Sequence, residues 1–230
     1  MTSTQRPFDP ENYRLEALCG RIFARHSDRI RVRKPQTAVA NLARIVKTFL
    51  KLTNRKGFHA TSLRELSEAA ELSMGGLYSY FDSKDTLLLM ILDEVDSTMR
   101  EVLDAVPTDV AADPTKHLRW VVDTHVRLTE VMQPWFVFAY MEAKSFPPSA
   151  RRAAIDSERL VEGVLEDIIE KGRASRRFSI EDPALTAALI KPLLQDWYVK
   201  RAKYRRRNVS IDRYIQHVTA IVEAAVDAKA

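Results

Sequence analysis

Apolar residues recur every three or four positions along most of the chain, which is the spacing of one buried face on an α-helix. The segment 39–50 carries one such face, and the segments 118–132, 155–169 and 211–226 repeat it. No window alternates with the period of two that a half-buried strand requires. The sequence therefore predicts an all-α protein.

Proline residues divide the chain between these helical segments. Pro107 and Pro114 lie between two of them, and Asp182-Pro183 begins a helix that reaches about residue 204. Pro192 lies inside that helix and predicts a kink, because its ring clashes with the preceding turn. The segments add up to about nine helices or more, apart from any structure formed by residues 11–30.

The composition excludes several classes of protein. Of the 230 residues only six are glycine, which argues against a turn-rich β fold and against a phosphate-binding glycine loop. Cys19 is the single cysteine, so an internal disulfide and a thiolate metal cluster are excluded and a reducing compartment is expected. No apolar run approaches the roughly 18 residues that span a bilayer, and the first residues lack the apolar core of a signal peptide. We therefore expect a cytoplasmic protein with no membrane partner.

Positive charge is concentrated in the first third of the chain. Residues 1–86 contain 15 Lys and Arg against 9 Asp and Glu, whereas residues 87–230 contain 21 against 22. A basic module joined to a near-neutral body is typical of a protein that binds nucleic acid or another anionic surface. The alternative, an uneven but simply solvated surface, has to be decided by a motif.

Local helix signals cluster in the segment Gly57 to Leu88, GFHATSLRELSEAAELSMGGLYSYFDSKDTLL. Ser62 and Glu65 match a capping box at the start of a short helix. Ser73 stands as the N-cap of a second short helix that follows a tight turn. Together with a longer helix predicted over about 36–55, these two helices form a three-helix unit that ends in a helix-turn-helix.

The same segment resembles the DNA-binding domain of TetR-family transcriptional regulators. In the family pattern, Gly and an aromatic residue precede a Thr/Ser pair, and a turn ending in Ser leads into Gly-x-Leu-Tyr-x-x-Phe-x-Ser-Lys-acid-x-Leu. This chain supplies the pattern with Gly57-Phe58, Thr61-Ser62, Ser73, Gly75, Leu77-Tyr78, Phe81, Ser83-Lys84-Asp85 and Leu87. The resemblance implies a helix-turn-helix domain over 36–84 and a C-terminal helical ligand-binding and dimerisation domain over 85–230. The basic N-terminal extension over 1–35 is unusual, since family members often begin only a few residues before the first helix.

The resemblance also implies which residues contact double-stranded DNA. Gly75 and Gly76 allow a close approach to the sugar-phosphate backbone, and a helix N-terminus favours phosphate. Lys84 matches a phosphate-binding lysine of the family, and Tyr78 and Tyr80 match residues at the groove wall. The full expected set is Thr61, Ser62, Ser73, Met74, Gly75, Gly76, Tyr78, Ser79, Tyr80 and Lys84.

Several positions depart from the family pattern. Glu71 occupies a turn position usually filled by glycine, which is unfavourable if its φ is positive. Met74, Gly76 and Tyr80 replace residues that are commonly polar or basic, hydroxyl-bearing and His, respectively. Because the recognition helix has few hydrogen-bonding side chains, we expect phosphate positioning and DNA shape to contribute more than base readout.

The N-terminal extension has two open interpretations. Its basic residues favour an arm that enters the neighbouring minor groove. Its apolar residues favour an amphipathic helix that packs on the body of the protein, and the two interpretations are compatible. The basic residues are Arg21, Arg25, Arg29, Arg31, Arg33 and Lys34, and the apolar ones are Leu15, Leu18, Ile22 and Phe23.

The C-terminal part of the chain contains all three tryptophans and an aromatic run over 132–141. Each of these residues alone fits an ordinary core, but together they are consistent with an apolar cavity, and the resemblance implies a ligand pocket in this domain. We expect a hydrophobic small-molecule effector, bulky and fatty-acyl or aromatic/steroid-like. The expected ligand-binding residues are Trp120, Asp123, His125, Trp135, Phe138, Tyr140 and Met141, and Arg127 and Glu142 are further polar anchors.

The last two apolar helices correspond to the family's dimerisation helices. A two-fold homodimer presents two recognition helices to a palindromic operator whose half-sites lie about one helical turn apart. A basic cluster over 200–207 fits either a solvated helix C-terminus or a site for an anionic part of a ligand. The expected interface residues are Leu189, Leu193, Trp197, Ile215, Val218 and Val222.

Catalysis is not expected, since the five histidines are dispersed and none has the spacing of metal ligands. We expect no cofactor and no metal. The leading hypothesis is a ligand-responsive dimeric repressor that its effector releases from the operator. The alternatives are an activator or nucleoid-associated protein of the same architecture, and a helical small-molecule carrier without DNA binding.

Overall fold

The computed structural model describes residues 8–227, and within that part of the chain every regular element is helical. The all-α prediction is therefore confirmed. Two 3-10 turns, Pro10–Tyr13 and Ala143–Ser145, accompany the α-helices. The helices are α1 (Leu15–Arg25), α2 (Pro35–Lys56), α3 (Leu63–Ala69), α4 (Met74–Leu77), α5 (Lys84–Asp104), α6 (Thr108–Ala111), α7 (Pro114–Val131), α8 (Gln133–Met141), α9 (Pro148–Ala174), α10 (Pro183–Val199), α11 (Arg201–Arg206) and α12 (Ile211–Asp227).

The helix predicted from Pro183 to about residue 204 is interrupted at Lys200, which lies between the last residue of α10 and the first residue of α11 and caps both helices. Beyond the break, Arg201 Nη2 lies 2.8 Å from Glu130 Oε1. The Arg201 guanidinium also stacks 4.4 Å from the centre of the Trp197 ring. The single predicted helix is therefore two helices, and the second starts where the chain binds α7.

The chain forms two compact units, and their bounds differ from the domain limits predicted from the sequence. The N-terminal unit comprises Pro10–Ser97 together with Val131–Ile155. The C-terminal unit comprises Thr98–Glu130 and the chain from Asp156 onward, together with the described residues before Pro10. Helix α8, which the sequence assigns to the ligand-binding domain, thus belongs to the N-terminal unit.

Aromatic packing explains why α8 belongs to the N-terminal unit. Phe138 of α8 packs edge-on against Phe49 of α2, with their ring centres 5.5 Å apart. Phe146 packs at 5.5 Å against Phe58 and at 5.2 Å against Phe138. All four side chains are buried. Edge-to-face pairs of this kind are favourable beyond the area that they bury.

The core of the C-terminal unit is formed by the inner faces of α7, α9, α10 and α12. Buried aliphatic residues line these faces, as their helical spacing predicts. A tight aromatic group made of Trp197, Tyr204 and Tyr214 extends this core, with ring centres between 4.7 and 5.4 Å apart. Representative buried residues are Leu118, Val122, Leu165, Leu194 and Val222. Among the described residues, no helix is both long and apolar enough to cross a membrane.

Candidate nucleic-acid interface and effector site

The two helices of the helix-turn-helix begin at the serine caps that the sequence predicts. Ser62 Oγ accepts a hydrogen bond from the Glu65 amide at 3.2 Å. Ser73 Oγ accepts one from the Gly76 amide at 3.0 Å. The Glu65 carboxylate, expected to complete the capping box, binds Lys56 Nζ. Each cap satisfies an amide that a helix start leaves unpaired.

The turn between α3 and α4 holds Glu71 in the left-handed region, with φ at 53°. The departure from glycine at this position therefore carries backbone strain, since a side chain there costs about 1 kcal/mol. Ser67 Oγ donates a 2.6 Å hydrogen bond to the Leu72 carbonyl and closes the turn. The turn keeps the usual geometry without its usual residue.

Most of the residues expected to contact DNA lie at the surface of the N-terminal unit. Ser62, Ser73, Gly75 and Tyr78 are exposed, and Met74, Gly76 and Ser79 are half-buried. The Tyr78 side chain is 43% exposed. A Cβ placed on Gly75 would meet no protein atom within 4 Å, so nothing in the protein itself explains the absence of a side chain there. Apart from Ser62, these residues extend from the N-cap of α4 to just beyond its end and are interrupted only by the buried Leu77.

Two of the expected DNA-binding side chains are buried. Tyr80 is only 1% exposed, and burial raises the pKa of its hydroxyl. Thr61 is also 1% exposed, and its Oγ1 donates a 3.0 Å hydrogen bond to the Gly57 carbonyl. Both side chains therefore pack in the interior of the unit, and their contact with DNA stays a prediction.

Lys84 has a structural role that its match to the family pattern does not indicate. Its Nζ donates to the carbonyls of Phe58 and Thr61, both at 3.0 Å, and lies 4.3 Å from the centre of the Phe58 ring. Burial lowers the pKa of this amine. Lys84 therefore ties the start of α5 to the loop before α3, and its expected contact with phosphate stays a prediction.

The N-terminal extension is divided between packing and surface charge. Helix α1 buries Leu18, Cys19 and Ile22. Arg21 Nε lies 2.9 Å from Glu94 Oε1, and Arg25 binds the other oxygen of this fully buried carboxylate. The amphipathic-helix interpretation describes these residues. The arginines at 21 and 25 are engaged within the protein.

The end of the extension is held beside the recognition helix. The Arg31 amide donates a 2.8 Å hydrogen bond to the Ser79 carbonyl, and Ile30 is buried next to it. Arg29, Arg33 and Lys34, like the Arg31 side chain, are exposed. None of the four forms an ion pair with a described residue. We call residues 29–34 the basic linker.

The expected ligand-binding residues are divided between the two units. Trp120, Asp123 and His125 lie on α7 in the C-terminal unit. The other four lie on α8 in the N-terminal unit: Phe138 is part of its phenylalanine core, Trp135 is 4% exposed, and Tyr140 and Met141 are 42% and 48% exposed. The aromatic run of α8 therefore lies outside the unit that contains Trp120, Asp123 and His125, and a shared ligand site stays a prediction.

His125 belongs to a buried polar pair, of which the sequence analysis predicted only His125 as a site residue. Its Nε2 lies 3.2 Å from Lys191 Nζ of α10, and both side chains are buried. Burial, with Lys191 as a second cause, lowers the pKa of His125 well below its usual value, so Nε2 accepts from the amine and Nδ1 carries the proton. That Nδ1 has no partner among the described residues. The sequence did not single out Lys191 as a site residue, because its neighbours on α10 are apolar and predict an ordinary core.

Burial shifts the pKa of Lys191 and that of a second residue of α7, Asp123. It lowers the pKa of Lys191 to about 8, against the opposing effect of the Glu158 and Glu162 carboxylates. Burial also raises the pKa of Asp123, whose carboxylate lies 2.9 Å from Arg127 Nε. The Arg127 guanidinium also binds Asp212 of α12 at 2.6 Å. Asp123 and Arg127 therefore belong to an ion-pair network that joins α7 to α12.

Most of the expected dimer residues are buried inside their own unit. Trp197, Ile215, Val218 and Val222 are all at most 7% exposed, and Trp197 Nε1 donates to Glu130 at 2.8 Å. Leu193 is half-buried. The side of these helices that remains uncovered carries Leu185 at 56% exposure, Leu189 at 65% and Ile221 at 54%. The apolar stripe seen in the sequence is core, and only Leu189 of the expected set is well exposed.

Comparisons with known proteins agree with this architecture. Residues 45–91 match the family model of bacterial regulatory proteins of the tetR family, and residues 111–201 match a tetracyclin repressor-like C-terminal domain. The uncharacterized HTH-type transcriptional regulator YuxN of Bacillus subtilis is 39% identical over 61 residues, which are 26% of this chain and only 21% of that relative.

Two solved structures share the fold. The TetR-family transcriptional regulator PfmR of Thermus thermophilus is 27% identical, with a TM-score of 0.61 over 80% of this chain and 97% of that one. The regulator FadR of Bacillus subtilis, in complex with stearoyl-CoA, is 14% identical, with a TM-score of 0.60 over 81% of this chain and 98% of that one. One conclusion accounts for the two matching domains, the capped helix-turn-helix and the shared fold. This chain belongs to the TetR family of DNA-binding transcriptional regulators, which are not enzymes.

Proposed function

We propose that this regulator is a homodimeric repressor that binds a palindromic operator and is released by an amphipathic acid with a long apolar part. The observation that carries the ligand class is the buried pair of His125 and Lys191, which places a basic side chain inside the helical unit. Effector binding at this pair changes the spacing of the two DNA-reading heads through α5, which begins at Lys84.

The DNA-binding surface of this proposal combines the exposed start of α4 with the basic linker. Gly75 and Tyr78 face the groove, and the free amides at the start of the helix-turn-helix elements face phosphate. The Arg31 amide bond to Ser79 supports adding the linker, because it holds exposed cations next to the residues that read DNA. Phosphate contacts by the linker provide affinity, and the two-fold arrangement provides much of the specificity.

The effector site is supported by two features of α7 and α10. A buried ammonium group is unfavourable unless it is paired, and here its hydrogen-bond partner is a neutral imidazole, while the Glu158 and Glu162 carboxylates favour the charged form through their charge. The imidazole Nδ1 proton has no partner among the described residues, and an anionic head group would accept hydrogen bonds from both. FadR, which shares the fold, is known in complex with stearoyl-CoA, and this agrees with an acyl ligand.

The dimer surface of this proposal is the exposed apolar side of α10 and α12. Leu185 and Leu189 lie four residues apart and so share one face of α10. With Ile221 of α12, they leave large apolar side chains uncovered in the single chain. A second copy of the chain that pairs these faces would remove them from water, in a two-fold arrangement typical of soluble oligomers.

The operator part is tested by fluorescence anisotropy with a duplex taken from the DNA flanking the gene, over a series of salt concentrations. Replacing Arg31 and Arg33 by Gln should reduce the slope of log affinity against log salt by about two, since each lost phosphate contact contributes about 0.9. The matched control is Arg152→Gln with Arg159→Gln, two exposed arginines of α9. Binding without salt dependence would refute the repressor, and equal slopes in both variants would remove the linker from the interface.

The effector part is tested by adding palmitate to the protein–operator complex. Palmitate should release the operator from the wild-type protein, and operator should weaken palmitate binding by the same factor. Lys191→Met, which keeps an unbranched side chain only one heavy atom shorter, should bind operator normally and lose the response. A variant that still responds fully would exclude the buried pair as the effector site.

A further inference from the structure

A groove of about 960 Å³ lies on the N-terminal unit, away from the residues proposed to read DNA. It is formed by the start of α1 with the turn before it, the second half of α2, and the residues around the start of α8. Its volume is at the upper end of the range for small-molecule pockets, roughly 300–1,000 Å³. None of the expected DNA-binding residues lines it.

One side of the groove is apolar. Leu50, Trp135 and Val131 line it; the first two are nearly buried, and Val131 is 37% exposed. Asn54 Nδ2 donates a 2.9 Å hydrogen bond to the Pro134 carbonyl and so holds α2 to the start of α8. The two helices that form the groove are therefore joined at its wall. A preformed wall of this kind lets a ligand bind without first ordering the protein.

The other side carries a row of cations. Lys47, Lys51 and Arg55 follow one another at four-residue spacing on α2, and all three are exposed. Successive like charges at this spacing repel each other. None of the three forms an ion pair with a described residue, and Glu16 is the acidic residue among those that line the groove. Over eight residues of helix the row is about 12 Å long.

We infer that this groove binds an amphipathic phosphate, a ligand with an apolar chain and a phosphate or diphosphate head. The chain packs against Leu50 and Trp135, and the head lies along Lys47, Lys51 and Arg55. A row of several cations suits a head with more than one negative charge better than a single carboxylate. This site lies within the N-terminal unit and does not depend on the effector site proposed at His125 and Lys191.

DNA is the competing partner for a row of lysines and arginines. Non-specific phosphate binding requires positive charge but no concave apolar wall. The cations here border such a wall, and a small ligand with an apolar part would use both features. The groove therefore favours the amphipathic ligand, and the experiment below also distinguishes this ligand from DNA.

The test uses the full chain labelled with 5-fluorotryptophan, whose three fluorine signals come from Trp120, Trp135 and Trp197. Single Trp→Phe variants assign the signals. Decyl phosphate should shift the Trp135 signal in a saturable way, while inorganic phosphate and decyltrimethylammonium should not. Lys47→Gln with Lys51→Gln should raise the midpoint by about tenfold or more, because hydrogen bonds to a charged head are lost.

The matched control removes the same charge elsewhere. Lys144→Gln with Lys171→Gln changes two exposed lysines outside the groove and should leave the midpoint unchanged. Unchanged melting temperatures would show that both variants fold. A Trp135 signal that does not move with decyl phosphate, or moves equally with the cationic detergent, overturns the inference. A double variant that loses only operator affinity assigns the row to DNA instead. Because the signal reports on α8, failure here leaves the effector proposal intact.

Discussion

Replacing Lys191 by Met should make the protein more stable at neutral pH, although it removes a buried hydrogen bond. Burial lowers the pKa of Lys191 from 10.5 to about 8. At 1.36 kcal/mol for each pKa unit, the folded chain carries a penalty of roughly 3 kcal/mol for the buried ammonium group. The lost hydrogen bond to His125 offsets about 1 kcal/mol of the gain. The net stabilisation at pH 7 is therefore about 2 kcal/mol.

The difference in stability between the variant and the wild-type protein should depend on pH. Below the folded pKa of about 8, both the folded and the unfolded chain hold the Lys191 proton, and the full penalty is present. Between this value and 10.5 the unfolded chain holds the proton that the folded chain has released, so the wild-type protein gains stability as the pH rises. The advantage of the variant should therefore shrink by about 2 kcal/mol between pH 7 and pH 10, so that the two proteins become nearly equal in stability.

Urea unfolding at several pH values measures this difference, and subtraction of the two proteins cancels the other groups that titrate in the same range. Lys171→Met, at an exposed lysine of α9, is the control and should change stability by no more than about 0.5 kcal/mol. A Lys191 variant that is less stable at pH 7, or an advantage that is the same at pH 7 and pH 10, would refute the reasoning. A stabilising loss of function would mark Lys191 as a residue kept for binding.

Three further predictions concern the backbone, the dimer and the cysteine. Glu71→Gly should raise the unfolding free energy by about 1 kcal/mol, because glycine adopts a positive φ without strain. The control Glu68→Gly, inside α3, should lower the unfolding free energy by a similar amount. Equal effects of the two substitutions would contradict backbone strain at Glu71. Leu189→Arg should yield monomers in sedimentation velocity, and Ile155→Arg, at another exposed apolar residue, should not. Cys19 is fully buried and burial raises the pKa of its thiol, so the folded protein should resist iodoacetamide at pH 8 and react once unfolded in urea.

Local signals predicted much of the N-terminal unit. The caps at Ser62 and Ser73 are short-range hydrogen bonds between residues three apart, so the sequence contains both partners. The strain at Glu71 is equally local, because it depends on the turn itself. By contrast, Lys84 matched the family pattern and yet binds two carbonyls more than twenty residues away, a contact that no local signal encodes.

The sequence by itself determined the helical class, the approximate helix limits, the caps and the family, because helical periodicity and capping act over a few residues. Only the tertiary structure decided which side of each helix is covered. The apolar stripes of α10 and α12 predicted a dimer surface, but one chain buries most of them, and Leu185 and Ile221 remain outside. The aromatic run of α8 predicted a pocket, and the fold divides it: Phe138 packs in a core with Phe49, Trp135 lines a surface groove, and Tyr140 and Met141 are exposed. Apolar side chains carry no label for their partner, so only the packed fold distinguishes a core from a cavity or an interface.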